Sequence, residues 1–393
     1  MKGFKFTGIA AGIKKTGLKD LGLIYSEKPC SATALFTKNK VVAAPVILGK
    51  KVVENGKLQA ILANSGNANC FTGDKGMKDA MLCTNMVSEN LNIDPDLVMV
   101  SSTGVIGAPL PIDKFESGIP HAVSNLENGS ITDFSDAILT TDTCRKIVSK
   151  SGTIDSQAGP KPFSVTGIAK GSGMIRPDMA TMLAYVLTDV SIEPGILKKA
   201  LIHANNRSFN RITVDGDTST NDTLVCMASG AGEAIIDSGE SLAAFQSLLD
   251  EVCYDLAKMV VKDGEGATKV AGITVKGAQT QEDAFKAAEA IAHSNLVKTA
   301  IYGEDPNWGR ITAAAGRSGA VVDQQKMDLF FADTALVLQG QWLGHEAEKK
   351  AANLMKQDEI QITLDLNLGE CFDHFLFCDF SENYVKINAD YRT

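Results

Sequence analysis

The chain has 393 residues, of which 44% are hydrophobic and 22% charged, a balance typical of a globular protein large enough for two lobes with a substantial core. Its net charge of −9 and isoelectric point near 5.2 argue against a nucleic-acid-binding protein, which would present a basic face. No apolar run approaches the roughly 18 residues that a membrane-spanning helix needs, so we expect neither nucleic acid nor a membrane as a partner.

The first half of the chain alternates strand-like and helical runs. Three strands are predicted near the N-terminus, over FKFTGIAAGI, LGLIYSE and SATALFTKN. A helix is predicted over residues 76–91, where Met77, Ala80 and Met81 fall on one face. DLVMVSSTGVIG predicts a strand that runs into a small-residue loop, and FSVTGIAKG predicts another strand.

The second half predicts more buried elements. MLAYVLTDV is a continuous apolar run and predicts a strand buried on both faces. EPGILKKALIHANNRSF predicts a helix with Pro194 in its first turn, and amphipathic helices are predicted over 241–261 and 281–295. ITLDLNL alternates strictly, which predicts a half-buried strand. No repeat or linker is visible, so the predicted fold class is α/β or α+β, with mixed sheets covered by helices.

Leader, disulfide and metal signals are weak. The N-terminal MKGFKFTGIAAGIKK has a short apolar part, interrupted by Gly8 and Gly12, and no small-residue cleavage site follows it, so we expect a cytoplasmic protein. The eight cysteines are scattered without a CxxC pair, which favours reduced thiols. The five histidines show neither HxxxH nor HExxH spacing, so no metal site is predicted, and His374 is interpreted as a structural residue of a strand.

Six loops combine glycine with hydroxyl, amide or charged side chains. They cover residues 64–70, 101–111, 139–143, 170–181, 214–222 and 262–269. The sequence lacks a GxSxG elbow, a GxxxxGK[ST] phosphate loop and a clean GxGxxG after a strand. One such loop is usually only a turn, but six of them, mostly at the ends of apolar strands, predict an assembled polar pocket.

Thr181 lies in KGSGMIRPDMATML, between a glycine-rich loop and the apolar run. Local chemistry leaves two interpretations open: a helix N-cap or strand hydroxyl, or a nucleophile. A threonine hydroxyl needs a base to take its proton. Cleavage of the bond between Ala180 and Thr181 would create a free α-amine, whose pKa of about 7.7–8.0 suits it to be that base.

The same segment resembles the self-cleavage segment of the ornithine acetyltransferase family, the ArgJ-type glutamate N-acetyltransferases. The resemblance covers essentially the whole chain, in family order: FTGIAAGIKKTGLKDLGLI, CSATALFTKN with AAPV, NSGNAN, SSTGVIG, LTTDT, NRITVDGDTSTND, DGEGATK, DPNWGRI and INADYRT. Two small departures are Cys70 after NAN and Cys144 after TTDT. Neither falls on a residue to which the resemblance assigns a role.

The resemblance implies autocatalytic cleavage between Ala180 and Thr181. The products would be an α chain, residues 1–180, and a β chain, residues 181–393, that stay associated. Thr181 would then take the acetyl group of N2-acetyl-L-ornithine, release L-ornithine, and pass the acetyl group to L-glutamate. A DmpA/ArgJ-like layered sandwich of mixed β-sheets with a smaller C-terminal lobe is implied as the fold, and a dimer of αβ units as the assembly.

The resemblance also implies roles for other residues. Thr103 and Gly104 match the oxyanion hole, where a hydroxyl and a backbone N–H would stabilise the tetrahedral intermediate. The residues that match substrate contacts are Thr143, favoured over Thr141, Lys170, Thr181, Glu265, Asn388 and Thr393. On local chemistry alone, each of these residues other than Thr181 would be interpreted as an ordinary turn, loop or terminal residue.

Two points of function stay open at this stage. Members of the family differ in whether acetyl-CoA also serves as acetyl donor, and no residue here decides it; no bound cofactor is expected. The nearest alternative activity is that of an N-terminal-nucleophile amidohydrolase or aminopeptidase, which would pass the acyl group to water. A non-catalytic amino-acid-binding protein with an intact chain is the alternative from a different class.

Overall fold

Two units of packing make up the chain in the computed structural model, which describes residues 1–14, 17–154, 159–176, 182–237 and 239–390. The first unit comprises Met1–Asn210 and Asp217–Val260, and the second comprises Arg211–Gly216 and Val261–Thr393. These units do not coincide with the two chains predicted from cleavage between residues 180 and 181. That cleavage breaks a covalent bond and does not depend on how the units pack, so it stays a prediction.

The strands follow one another along the chain as β1 (Phe4–Ile9), β2 (Leu21–Phe36), β3 (Lys57–Asn64), β4 (Val98–Ser102), β5 (Lys146–Ile154), β6 (Lys161–Lys170), β7 (Leu183–Thr188), β8 (Ser191–Ile192), β9 (Ile212–Thr213), β10 (Thr223–Ala228), β11 (Ile235–Ile236), β12 (Val270–Ala278), β13 (Asp328–Phe331), β14 (Thr334–Leu338), β15 (Gln341–Trp342), β16 (Glu359–Asp365) and β17 (Cys371–Cys378). The helices are α1 (Ala44–Val52), α2 (Gly73–Leu91), α3 (Ile112–Ser124), α4 (Ile131–Ile138), α5 (Pro194–Arg207), α6 (Gly239–Lys262), α7 (Gln281–Ala292), α8 (Asn295–Tyr302), α9 (Trp308–Gly316), α10 (His345–Leu354) and α11 (Glu382–Asp390).

The first unit is built on a mixed sheet in the order β4-β3-β2-β10-β7-β6-β5, with β1 paired to β2. Every residue of β7 and β10 is buried, because both strands consist of apolar and small residues and lie inside the sheet. β10 runs parallel to β7 and aligns Thr223 with Leu183, while β6 runs antiparallel and aligns Lys170 with Leu183. The end of β6 and the starts of β7 and β10 therefore share one edge.

The structure confirms most of the predicted elements. The strand over MLAYVLTDV is β7, and the helices predicted over 76–91, 241–261 and 281–295 are α2, α6 and α7. The division of LGLIYSE and SATALFTKN into two strands is wrong. They form the single strand β2, and its pairing with β3 is irregular between Tyr25 and Cys30, which accommodates Pro29 without ending the strand.

The second unit is built on a separate sheet in the order β15-β14-β13-β16-β12-β17-β9. β16 confirms the first part of the half-buried strand predicted over ITLDLNL; it begins earlier, at Glu359, and ends at Asp365, with Ile360, Ile362 and Leu364 buried on one face. His374 lies in β17, as predicted. This unit is the smaller of the two, in line with the smaller C-terminal lobe expected from the resemblance.

Three further findings concern the cysteines, possible metal ligands and possible membrane helices. All eight cysteines lie in the described residues and none is in a disulfide; Cys70 is buried and Cys144 is exposed. Within the ranges given above, no group of three or more His, Cys, Asp or Glu side chains could hold a metal ion. None of the helices described is both long and apolar enough to cross a membrane.

Candidate functional site

The NSGNAN and SSTGVIG loops are joined at the ends of β3 and β4. Thr103 N donates to Asn64 O at 2.9 Å, and Val105 N donates to Gly66 O at 3.4 Å. Asn67 forms isolated bridges with both Thr103 and Val105. Because β3 and β4 are parallel and end together, their two loops form one polar surface in the first unit.

Gly104 requires the conformational freedom of glycine. Its φ is +133°, and a Cβ built there would lie 2.4 Å from the Gly66 carbonyl carbon and 2.5 Å from Asn67 N. No hydrogen bond among the described residues uses the Gly104 N–H, and none uses the Thr103 hydroxyl. Both groups are half-buried and can donate to a ligand, which is the arrangement that an oxyanion hole needs.

Asn221 holds this surface from the TSTND loop. Its side-chain Nδ2 donates to Ala68 O at 2.6 Å and to Ser102 O at 2.9 Å, and its Oδ1 accepts from the Thr220 hydroxyl at 2.6 Å. Ser102 directly precedes Thr103. The buried amide therefore fixes the backbone that leads into the candidate oxyanion hole.

Lys170 ends β6 and is held by the LTTDT loop. Its Nζ donates to Thr140 Oγ1 at 2.6 Å and lies 3.7 Å from Asp142 Oδ2. Asp142 also accepts hydrogen bonds from Lys146 Nζ at 2.8 Å and from Gly171 N at 2.6 Å. The side chains of Asp142 and Lys146 are completely buried, whereas that of Lys170 is 9% exposed.

The charge state of Asp142 follows from this geometry. Burial alone would raise its pKa, but the charges of Lys170 and Lys146 and the hydrogen bond from Lys146 outweigh burial and hold the pKa well below the usual range. The carboxylate is therefore ionised at neutral pH. It fixes Lys170 in place as a cation whose ammonium can bind a negatively charged ligand group.

Lys14 approaches the same loop from the N-terminal segment. Its Nζ donates to Leu139 O at 2.7 Å and to Lys19 O at 3.0 Å, and its backbone N donates to Asp20 Oδ2 at 2.8 Å. Burial lowers the pKa of the Lys14 ammonium, and the charge of Lys170 acts in the same direction. The 139–143 loop thus lies close to two lysines besides Lys146.

The threonines of LTTDT have different surroundings. The Thr141 hydroxyl is 2.6 Å from the Ser172 hydroxyl, and Thr140 accepts from Lys170. Thr143 is exposed. The assignment of Thr143 as a substrate contact stays a prediction.

Glu265 and Asn388, both predicted from the resemblance, are brought together in the second unit. Asn388 Nδ2 donates to Glu265 Oε2 at 2.8 Å and to Tyr384 O at 3.1 Å. Glu265 is 8% exposed and lies in the turn after α6, while Asn388 lies on the exposed helix α11. Gly266 allows the close approach, because a Cβ there would lie 2.5 Å from Tyr384 N.

Three of the predicted site residues lie outside the described residues: Ala180, Thr181 and Thr393. Their flanks are described. Ile175 forms an isolated bridge with Thr218, and Met182 O accepts a hydrogen bond from Thr223 N at 2.9 Å.

Sequence reasoning missed several polar residues that the structure brings to these loops: Lys14, Thr140, Asp142, Lys146, Ser172, Asn221 and Asp222. Most of them lie in motifs that the sequence analysis recognised as polar loops. The sequence does not show which side chains these loops bring into contact. Lys146 gave no signal, because a lysine at the start of a strand is usually exposed.

Comparisons with known proteins agree on one family. The model of the ArgJ family matches residues 5–393. The chain is 48% identical over 395 residues to the arginine biosynthesis bifunctional protein ArgJ of Geobacter sulfurreducens, covering 100% of both chains. It is 47% identical over 397 residues to the protein of the same name from Syntrophotalea carbinolica, covering 100% of this chain and 99% of the relative.

A solved structure is also similar. The arginine biosynthesis bifunctional protein ArgJ of Bacillus halodurans aligns with a TM-score of 0.50 and 42% sequence identity. The alignment covers 97% of the solved chain but 52% of this one.

Proposed function

The chain belongs to the ArgJ family, and from that membership we propose that it transfers an acetyl group from N2-acetyl-L-ornithine to L-glutamate. The products are L-ornithine and N-acetyl-L-glutamate, in a cyclic route of arginine biosynthesis. The family match over residues 5–393 carries the proposal, since it includes every motif to which a role is assigned. The relatives' names place them in arginine biosynthesis.

We propose that the chain first cuts itself between Ala180 and Thr181. The Thr181 hydroxyl attacks the Ala180 carbonyl, and the products are chains 1–180 and 181–393. The Bacillus halodurans comparison supports two chains, because nearly the whole of that solved chain corresponds to about half of this one. Two such pairs would associate as α2β2.

After cleavage, Thr181 is the nucleophile and its own α-amine is the base. Thr103 and Gly104 donate to the oxyanion of the tetrahedral intermediate, and each donor lowers the barrier by about 3 kcal/mol in comparable acyl-transfer enzymes. The Gly104 N–H and the Thr103 hydroxyl support this role, because no hydrogen bond within the described part of the chain uses either group. The acetyl group then rests on Thr181 as an ester until the glutamate amine attacks it.

The remaining site residues bind substrate. Lys170, fixed by Thr140 and Asp142, suits a substrate carboxylate. Glu265 suits an amino-acid ammonium, and its hydrogen bond to Asn388 orients the carboxylate. Thr143 and Thr393 complete the proposed contacts.

The word bifunctional in the relatives' names supports a second activity, in which acetyl-CoA supplies the acetyl group for N-acetylglutamate synthesis. This donor is a substrate rather than a bound cofactor. We place the reaction in the cytoplasm, where its small-molecule substrates are made. An assay with acetyl-CoA and glutamate in the absence of acetylornithine tests the second activity.

The main test is incubation with acetylornithine and glutamate. The proposal predicts N-acetylglutamate and ornithine in equal amounts. Free acetate without N-acetylglutamate would instead indicate an amidohydrolase of related chemistry. Tight binding of the amino acids without turnover, by an uncut chain, would indicate a binding protein.

A further inference from the structure

The last residues of β2 extend beyond the strand that pairs with its first part. The antiparallel pairing of β2 with β3 ends where Ala32 N donates to Gly56 O at 2.8 Å. Gly56 has a φ of +71°, and the chain that leads into β3 joins the sheet only there. Ala34 and Phe36 therefore continue β2 past the point where this neighbour begins.

Backbone groups on this side of β2 have no partner among the described residues. On the opposite side, Thr37 N donates to Asp222 O at 3.0 Å, and hydrogen-bonded residues alternate along an antiparallel pair. Every second residue from Thr37 back along β2 therefore faces β10. The N–H and C=O of Ala34 and the N–H of Phe36 point the other way, to a short open edge where donors and acceptors alternate.

A groove of about 430 Å³ lies over this open edge, which is within the range of about 300–1,000 Å³ for ligand pockets. A Cβ on Gly56 would lie 2.8 Å from the Cβ of Pro194 in α5, so this end of the groove is closed. Ala32 and Ala34 line the groove with small side chains, which leaves room for another chain. At strand spacing, the edge from Ala32 to Phe36 is about 14 Å long.

Helices α1 and α5 lie against opposite faces of β2. Phe36 belongs to one core cluster with Val52 of α1. Thr33 and Ser31 point to the other face, because successive side chains of a strand alternate. Ser31 lines a second cavity together with Ile196 of α5. The two helices therefore flank the open edge from the two faces of the sheet.

Each of these helices brings a lysine to the groove. Lys50 of α1 and Lys198 of α5 both line it, and neither forms an ion pair within the described part of the chain. With Glu54 as the acidic residue of the lining, the groove is positively charged on a chain of net charge −9. Thr33 also lines the groove; it is 5% exposed, and its hydroxyl makes no hydrogen bond among the described residues. A buried hydroxyl without a partner is available to a ligand.

We propose that an extended acidic segment of another protein binds in this groove by adding a strand to the open edge of β2. A peptide backbone offers donors and acceptors at strand spacing, whereas a small carboxylate or a phosphate ion offers acceptors alone. Two successive acidic side chains of the added strand point to opposite faces, so one reaches Lys50 and the other Lys198. The length of the edge fits a segment of about four residues.

This binding does not depend on the proposed acetyl transfer, because no residue assigned a role in that reaction lines the groove. Loss of the peptide site and loss of the transferase activity are therefore separate outcomes.

The test titrates the capped peptide Thr-Val-Asp-Glu-Val-Thr into the purified full-length protein in a calorimeter, and the expected Kd is below about 1 mM. Lys50→Ala and Lys198→Ala should each weaken binding about 2–5-fold, the range of a solvent-exposed ion pair, and the double variant about 10-fold. The matched control is Lys51→Ala with Lys199→Ala, which removes the same charge from the same two helices outside the groove. It should bind the peptide as the wild type does.

N-methylation of the peptide tests strand pairing without any change to the protein. Two peptides are compared, one methylated at the Asp amide and one at the Glu amide. Because only every second N–H of an added strand faces the edge, one methylated peptide should bind at least about 10-fold more weakly, and the other should bind like the parent peptide.

Four results would overturn the proposal. The first is no binding by the wild type at about 1 mM peptide, which would leave the lysines as charges that keep the edge from pairing. The second is an equal loss in the control variant, and the third is an equal effect of the two methyl groups. The fourth is binding of succinate as tightly as the peptide, which would indicate a site for small anions.

Discussion

Replacing Asp142 with asparagine removes the charge that keeps two lysines in the interior of the first unit. The side chains of Asp142 and Lys146 are both 0% exposed, with 2.8 Å between Oδ1 and Nζ. Removing one partner of a buried ion pair costs about 3–5 kcal/mol. We expect Asp142→Asn to lower the free energy of unfolding of the first unit by this amount.

The expected loss is measured from urea unfolding curves at pH 7, followed by circular dichroism, because both tryptophans, Trp308 and Trp342, lie in the second unit. Glu127→Gln is the control: Glu127 pairs with Lys5 at 2.6 Å, but its side chain is 74% exposed, so its loss should go undetected. Adding Lys146→Met to Asp142→Asn should restore part of the stability, because the pair is then replaced rather than broken.

The same variant tests the positioning of Lys170. Without the carboxylate, the Lys170 ammonium keeps Thr140 as a partner but loses the negative charge 3.7 Å away. We therefore expect a higher KM for the amino-acid substrates. A loss of stability below about 1 kcal/mol, the range of solvent-exposed pairs, would refute the reasoning for Asp142.

Three further predictions test other parts of the site. Gly104→Ala should reduce acetyl transfer and destabilise the protein by about 1–3 kcal/mol, because the backbone φ of +133° strains an alanine and the new Cβ would clash with Gly66. Thermal melts measure the stability and kcat measures the transfer. An unchanged kcat would contradict the role of Gly104 in the oxyanion hole. Because the pKa of Asp142 is held low in the folded state, its stabilising contribution is present above about pH 3.9 and is lost as the pH falls through the folded-state pKa. The free energies of unfolding of wild type and Asp142→Asn, measured at decreasing pH, should therefore converge. A constant difference between the two at all pH values would contradict this. Glu265→Gln should raise KM for the amino-acid substrates at least about tenfold, as expected for a lost charge-assisted hydrogen bond, and should leave self-cleavage unchanged. Asn388→Ala should raise KM less. Equal KM values for wild type and Glu265→Gln would exclude Glu265 as a substrate-binding residue.

The sequence predicted what short-range patterns encode. β7 was predictable because a continuous apolar run has no exposed face, and α6 because its apolar residues recur at helical spacing. β2 was predicted in two pieces, because Pro29 and its polar neighbours are typical of a turn. Only the pairing with β1, β3 and β10 shows that the strand continues.

The chemistry of the site was predictable as motifs but not as contacts. TTDT and TSTND were recognised as polar loops, yet nothing local distinguishes Asp142 or Asp222 from a solvated turn carboxylate. Their charge states depend on burial and on Lys146 and Lys170, which come from other strands. The two aspartates have opposite pKa shifts. The pKa of Asp142 is lowered because nearby lysines outweigh its burial, whereas the pKa of Asp222 is raised because burial dominates.

Intact-mass analysis of the denatured protein, before and after incubation with N2-acetyl-L-ornithine, tests the central claim most directly. We predict two chains, the second beginning Thr-Met-Leu, and a mass increase of one acetyl group on that chain, located at Thr181 by peptide mapping. Added glutamate should remove the increase and yield N-acetylglutamate. A single uncut chain of 41.7 kDa, or an acetyl group on any other residue, would contradict the account.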